Sequence, residues 1–237
     1  MILTKENKEE LREIISKIDY TPALLPDATR DMVIKAGKEA LRYGFATLDV
    51  YPTWVKLASE QVKGTDIGVL VTIGFPHGST VTEAKVAETE QVLKDGATEI
   101  DMVINIARML EGDYDYVRND IKAVVDCAAK YGRGVKVILE VGYLTDQQKK
   151  KAALLAMEAG AEYVKTCTGF GPGKACLHDI LLLKEAVGDK MKVKASGGVA
   201  SLEDQLMFIR NGADRVAGRG NILDQLESIG VYSREDL

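Results

Sequence analysis

The chain has 237 residues, 46% of them hydrophobic and 28% charged, with a formal net charge of −5. That length is enough for one full core and is normal for a single α/β barrel. The acidic balance and the even spread of Lys and Arg exclude a nucleic-acid binder, which needs surplus cations to neutralise phosphates.

Thr4 to Ile18 reads as an amphipathic helix, with Leu11, Ile14, Ile15 and Ile18 at helical spacing and Thr4 as its cap. After it, short apolar runs alternate with longer stretches of helical period. The runs predict strands at Ile18–Thr21, Phe45–Val50, Ile67–Ile73 and Glu99–Asn105. Four more are predicted at Val135–Val141, Tyr163–Thr168, Lys192–Ala195 and Arg215–Ala217. Eight strands separated by helices read as a parallel sheet closed into a (β/α)8 TIM barrel, with an extra N-terminal helix and one domain over 1–237.

A weak internal repeat supports the barrel. Tyr43-Gly44-Phe45-Ala46, Asp95-Gly96-Ala97, Ala159-Gly160-Ala161 and Asn211-Gly212-Ala213 each end a helical pattern just before a strand. The Gly is expected to stop the helix in the left-handed conformation, where a Cβ is costly. The repeat marks alternate strands of one barrel. An open doubly wound sheet uses the same turns, but the Gly-rich nucleotide fingerprint that would favour it is missing.

Barrel enzymes place catalytic groups where strands end and βα loops begin. Asp101, Lys165 and Lys194 are charged residues inside otherwise apolar strands, Glu140 ends the fifth strand, and Asp19 and Asp49 lie in the first two. A buried lysine is expensive unless paired or functional, and it becomes nucleophilic when desolvation or a nearby cation lowers its pKa. The same pattern also allows a purely structural reading, in which Lys165 pairs with Asp101 and Lys194 reaches out to solvent.

Three glycine-rich loops suggest an anion site: Gly169-Phe-Gly-Pro-Gly173-Lys174, Gly197-Gly198 and Gly218-Arg219-Gly220-Asn221. Loops after the seventh and eighth strands of such barrels often hold phosphate through backbone N–H groups. His77 and His178 read as structural or surface residues, although the turn carrying His77 lies where a substrate could meet it. Tyr51 and Trp54 read as packing residues, and Cys167 has no paired His to make it a nucleophile.

Two histidines are too few for a three-His metal site, and three cysteines without zinc-ligand spacing fit a reducing, cytoplasmic setting. No apolar stretch approaches membrane-spanning length and the first residues carry no apolar signal core, so neither a membrane span nor a leader is expected.

These motifs resemble the deoxyribose-phosphate aldolase family over nearly the whole chain. The resemblance is carried by Pro26-Asp-Ala-Thr29, Gly74-Phe-Pro-His-Gly78, Glu99-Ile-Asp-Met-Val-Ile-Asn105 and Gly112-Asp-Tyr114. Its strongest parts are Val164-Lys-Thr-Cys-Thr-Gly-Phe170 and Val193-Lys-Ala-Ser-Gly-Gly-Val199. It implies a class I lyase that reversibly cleaves 2-deoxy-D-ribose 5-phosphate to acetaldehyde and D-glyceraldehyde 3-phosphate. Lys165 then resembles the Schiff-base lysine, Lys194 the neighbouring cation, and Asp101 the acid/base partner that acts with Lys194 and a water. Asp19, Thr168, Gly169 and Lys174 are expected to meet the substrate, as are Gly197, Gly198, Gly218 and Arg219. The imine needs no metal or other cofactor. The implied partners are a small sugar phosphate or aldehyde and further copies of the chain, as a homodimer or homotetramer.

Departures cluster at the barrel mouth. The family usually has Cys and Asn where this chain has Asp49 and Tyr51, and Asp-His-Thr where it has Asp19-Tyr20-Thr21. Glu140-Val-Gly-Tyr143 replaces the usual Glu-Thr-Cys, Ala200 stands where a basic residue is common, and Arg219-Gly220 replaces a serine pair. Two alternatives stay open: a Schiff-base aldolase of the same family with a different aldehyde or sugar substrate, and a non-catalytic sugar-phosphate binding barrel.

Overall fold

The computed structural model describes residues 3–219 and 221–237. Its eight strands are β1 (Ile18–Tyr20), β2 (Thr47–Val50), β3 (Gly68–Ile73) and β4 (Glu99–Val103), then β5 (Val135–Ile138), β6 (Tyr163–Lys165), β7 (Lys192–Ala195) and β8 (Arg215–Gly218). All pair in parallel with their sequence neighbours, and β1 pairs with β8 to close the barrel. The helices are α1 (Lys8–Lys17), α2 (Arg30–Tyr43), α3 (Val55–Gln61), α4 (Thr82–Lys94) and α5 (Ile106–Glu111). They continue with α6 (Tyr114–Ala129), α7 (Asp146–Glu158), α8 (Leu177–Val187), α9 (Leu202–Arg210) and α10 (Asn221–Ser228).

Each predicted strand is present. The first, fourth, fifth and sixth end earlier than predicted because the chain leaves the sheet there: Asn105 caps the next helix, Glu140 turns into the left-handed region at φ 53°, and the residues after Lys165 become the next loop. The first helix also starts later than expected. Asn7, not Thr4, precedes it, and the Asn7 side chain accepts from the Thr4 backbone N–H rather than capping the helix. The extra helix does exist, burying Leu11, Ile14 and Ile15 and packing against α9 and β8. The four repeat glycines all have positive φ, from 77° at Gly44 to 110° at Gly96, as a helix-to-strand stop requires.

Strand alternation sorts the side chains into two sets. Leu48, Val50, Val71, Ile100, Val137 and Val164 point outward, fully buried against the helices. The inward set is mostly polar: Asp19, Thr47, Asp49, Thr72, Asp101, Lys136, Lys165 and Lys194 are all buried, with Leu70, Val103 and Ile138 among them. Barrel interiors are usually filled by branched apolar residues. Here the register instead lines up charged positions on neighbouring strands, Asp101 with Lys136, Lys165 with Lys194, and Lys194 with Arg215.

Candidate active site

At the centre, two lysines share one carboxylate oxygen. Lys165 Nζ donates to Asp101 Oδ2 at 2.6 Å and Lys194 Nζ donates to the same atom at 2.9 Å. Lys194 also stands 2.5 Å from Asp19 Oδ2. Neither lysine reaches solvent: Lys165 is 1% exposed and Lys194 0%. The buried Lys165–Asp101 pair of the purely structural reading is present, but its other part, Lys194 extended to water, is corrected; Asp19 and Asp101 hold that ammonium inside the barrel.

The surroundings push the two lysines apart in acidity. Burial, aided by the charge of Lys194, lowers the Lys165 pKa against the opposing pull of Asp101 and Asp49. Burial also acts to lower Lys194, but Asp101, Asp19 and Asp49 outweigh it and raise it well above the usual lysine range. The same barrel therefore drives two neighbouring amines in opposite directions. Asp101 feels burial first, yet Lys165, Lys194 and Lys136 together hold it far below the usual carboxylate range.

Beneath this pair the charges continue. Lys136 bonds Glu99 and lies 3.6 Å from Asp101, while Arg215 donates to Asp19 at 2.5 Å and to Glu99 at 3.1 Å. Lys136 and Arg215 were not singled out from sequence. The legible signal for Lys136 is a lone charge inside Val-Lys-Val-Ile, whereas Arg215, the first residue of its strand, carries no such signal.

Above the lysines a pocket is lined by Lys165, Thr168, Gly169, Gly197, Gly198 and Arg219, all expected, together with Thr21 and Ser196. Gly197 has φ 90°, and a Cβ on it would lie 2.6 Å from Cys167 Cβ, so only glycine lets this loop rest on the segment that follows β6. The exposed Arg219 guanidinium lies across Gly169 and has no ion-pair partner among the described residues. Glu140 clamps the neighbouring loop. Its buried carboxylate accepts from the Thr168 backbone N–H at 3.1 Å and from the Thr168 hydroxyl, and the same hydroxyl accepts from the Phe170 N–H. A non-glycine residue held at φ 53° beside a pocket is the kind of local strain that marks functional loops.

Three expected substrate contacts are not part of this lining. Asp19 sits deeper, fully buried and committed to Arg215, Lys194 and Thr47. Gly218 accepts Thr21 through its carbonyl and packs against Ile18, holding the first and last strands together. Lys174 lays its stem against Gly198 behind the pocket wall. Gly220 lies outside the described residues.

Tyr51, Phe75 and Phe170 form an edge-to-face chain at the mouth, with ring centroids 5.8 and 5.4 Å apart. Burial pushes the Cys167 thiol up to about 12, so it is no nucleophile. His178 pairs on the surface with Asp146, where Lys149 supplies the counter-charge to Asp146 and Asp179. Among the described residues no helix is long and apolar enough to cross a membrane.

The family model for DeoC/LacD family aldolases matches residues 13–225. A deoxyribose-phosphate aldolase of Caldanaerobacter subterraneus subsp. tengcongensis is 44% identical, over 92% of this chain and 94% of its own. One from Thermococcus gammatolerans is 49% identical, over 86% and 91%. Among solved structures, the tetrameric deoxyribose phosphate aldolase of Aeropyrum pernix superposes with a TM-score of 0.83 at 31% identity, covering 92% of this chain and 91% of that one. A closed barrel with two buried lysines on one carboxylate, matched in sequence and in fold over nearly its whole length, places the chain in the DeoC/LacD aldolase family.

Proposed function

We propose that the protein is a class I aldolase that reversibly cleaves 2-deoxy-D-ribose 5-phosphate, through an imine on Lys165, to acetaldehyde and D-glyceraldehyde 3-phosphate. The observation that carries this reading is the pair of lysines on Asp101, one amine depressed by burial and the other kept cationic. The substrate reading is supported by its named relatives and by a pocket that combines glycine backbone with Arg219.

In this reading the free amine of Lys165 attacks the C1 aldehyde of the open-chain sugar. Loss of water leaves an iminium, which draws in electrons when the C2–C3 bond breaks. Asp101 and Lys194 carry protons away from the C3 hydroxyl and back to the enamine carbon. Hydrolysis then frees acetaldehyde and restores the amine. The imine is itself the electron sink, so the scheme uses no metal or other cofactor. Arg219 holds the 5-phosphate, since a guanidinium binds phosphate through two parallel N–H bonds. The protein works as a single domain over 1–237, in the cytoplasm, and as a homodimer or homotetramer.

Borohydride trapping with deoxyribose 5-phosphate, followed by peptide mapping, tests this. The expected result is a reduced adduct on Lys165, with acetaldehyde released when borohydride is left out. An adduct on Lys165 with another aldehyde but none with this sugar would transfer the assignment to a different substrate. No adduct with any carbonyl would leave only a binding barrel.

A further inference from the structure

Asp49 stands apart from the other buried acids. It lies on the inward face of β2, two residues beyond Thr47, whose hydroxyl bonds Asp19. It is 0% exposed, and among the described residues it is the one carboxylate with both oxygens buried and without a hydrogen-bond partner. The scheme above gives it no task.

Charge balance inside the barrel suggests one. Asp19, Glu99 and Asp101 are matched through direct ion pairs by Lys136, Lys194 and Arg215. With Lys165 a free amine, that interior is electrically neutral if Asp49 carries its proton. An iminium on Lys165 adds one positive charge in a place closed to water and counter-ions, and a lone buried charge is expensive. Glu140, also buried and without an ion pair, is held by the Thr168 N–H and hydroxyl, which leaves Asp49 as the buried acid with neither oxygen committed among the described residues.

We propose that Asp49 is protonated while Lys165 is a free amine and gives up that proton as the imine forms, becoming the counter-charge of the iminium. This rests on the assignment of Lys165 as the imine-forming residue. The step balances. Addition of the Lys165 amine to the aldehyde gives a neutral carbinolamine. Its C–O bond then breaks, the nitrogen lone pair forms the C=N bond, and the hydroxyl leaves with the Asp49 proton as water. The products are an iminium cation, an Asp49 carboxylate and one water molecule. Asp49 thus acts directly, as the acid that protonates the departing hydroxyl, and then remains as the counter-charge of the iminium.

The groups facing it agree with this role. Burial raises the Asp49 pKa to about 7, with Lys194 of β7 and Lys165 of β6 pulling it down and Asp101 of β4 and Asp19 of β1 pushing it up. Tyr51, just past the end of β2, has its own pKa raised by burial and by Asp49. From β3 the residue in register with Asp49 is the buried, apolar Leu70, and the next inward residue of that strand, Thr72, is uncharged and has its own hydroxyl unpartnered.

The test is rapid-quench borohydride trapping with deoxyribose 5-phosphate, on the wild-type enzyme and on Asp49→Asn, across pH values either side of neutrality. Imine formation in the wild type should slow as pH rises through about 7, where Asp49 no longer has a proton to give. Asp49→Asn should still form the Lys165 adduct, but on the order of 100-fold more slowly below neutrality and without that alkaline limb. A variant that keeps the wild-type rate and limb overturns the proposal while leaving Lys165 in place. No Lys165 adduct in the wild type overturns the Lys165 assignment first and this proposal with it. If the variant does not fold, infrared difference spectra of wild-type enzyme carrying isotope-labelled aspartate decide. Loss of a protonated-aspartate band on imine formation supports the proposal, and its persistence overturns it.

Discussion

Lys165 and Lys194 carry the same functional group, sit in register on adjacent strands and touch the same oxygen, yet the barrel drives them in opposite directions. The difference lies in their neighbours. Lys194 has Asp19 as well as Asp101 within contact, whereas Lys165 has Asp101 alone and a cation beside it. Lys194→Met should therefore act on the chemistry through Lys165. Without that cation, and with Asp101 left to Lys165 alone, the Lys165 pKa rises and its free-amine fraction near neutrality falls. The acid limb of the kcat/KM profile should then move to higher pH, with part of the lost activity returning in alkaline buffer; an unmoved limb would refute the role given to Lys194. Arg219→Ala makes a separate claim. Loss of a charged phosphate contact should raise KM for deoxyribose 5-phosphate by about 10- to 100-fold and leave KM for unphosphorylated deoxyribose nearly unchanged. Equal effects on the two sugars would place Arg219 outside the phosphate site.

Between the barrel and its outer helices, Lys85 of α4 is 0% exposed and donates to Asp120 of α6 at 2.6 Å and to the Val103 carbonyl at the end of β4 at 2.9 Å. This single ammonium ties two helices to the strand that carries Asp101. Lys85→Met should cost about 3–5 kcal/mol, because it leaves the Asp120 carboxylate buried and uncompensated; urea unfolding measures it, and a loss below 1 kcal/mol would contradict the pairing. Nothing in the sequence marked Lys85, since a lysine in an amphipathic helix reads as a solvated one. The strands were legible for the opposite reason. Charges inside apolar runs, such as Asp101 in Ile-Asp-Met-Val and Lys165 in Tyr-Val-Lys, break the pattern visibly. Period two could assign residues to faces but not to depth. It could not tell that Asp19 lies below the pocket, that Lys194 is sealed in while Lys192 is exposed, or that Lys174 turns behind Gly198. Those outcomes depend on which strand end faces the mouth and on loop paths that only tertiary packing sets.

The closed sheet wraps a polar interior, so the stability of the barrel is linked to its ionisation. Asp101 and Asp19 both have pKa values held below the ordinary carboxylate range, against burial and by the surrounding cations. A depressed carboxylate stabilises the fold above its unfolded pKa, and that contribution disappears as pH falls through the folded value. The barrel should accordingly lose stability on acidification below about pH 4. Arg215→Leu, which removes the cation shared by Asp19 and Glu99, should cost about 3 kcal/mol at neutral pH. The deficit should shrink toward acid, where the stranded carboxylates take up protons; thermal melts at several pH values would show it, and a pH-independent deficit would assign the loss to packing. Burial of Lys165 at 1% exposure has one more consequence. An amine with a depressed pKa is the most reactive amine a protein has, and on the surface it would be spent on any stray electrophile. Sealed under the loops after β6 and β7, with aromatic rings at the mouth, it answers only to carbonyl compounds slim enough to enter. Bulky acylating reagents should therefore exhaust the surface lysines and leave activity intact, while a two-carbon aldehyde finds Lys165 at once.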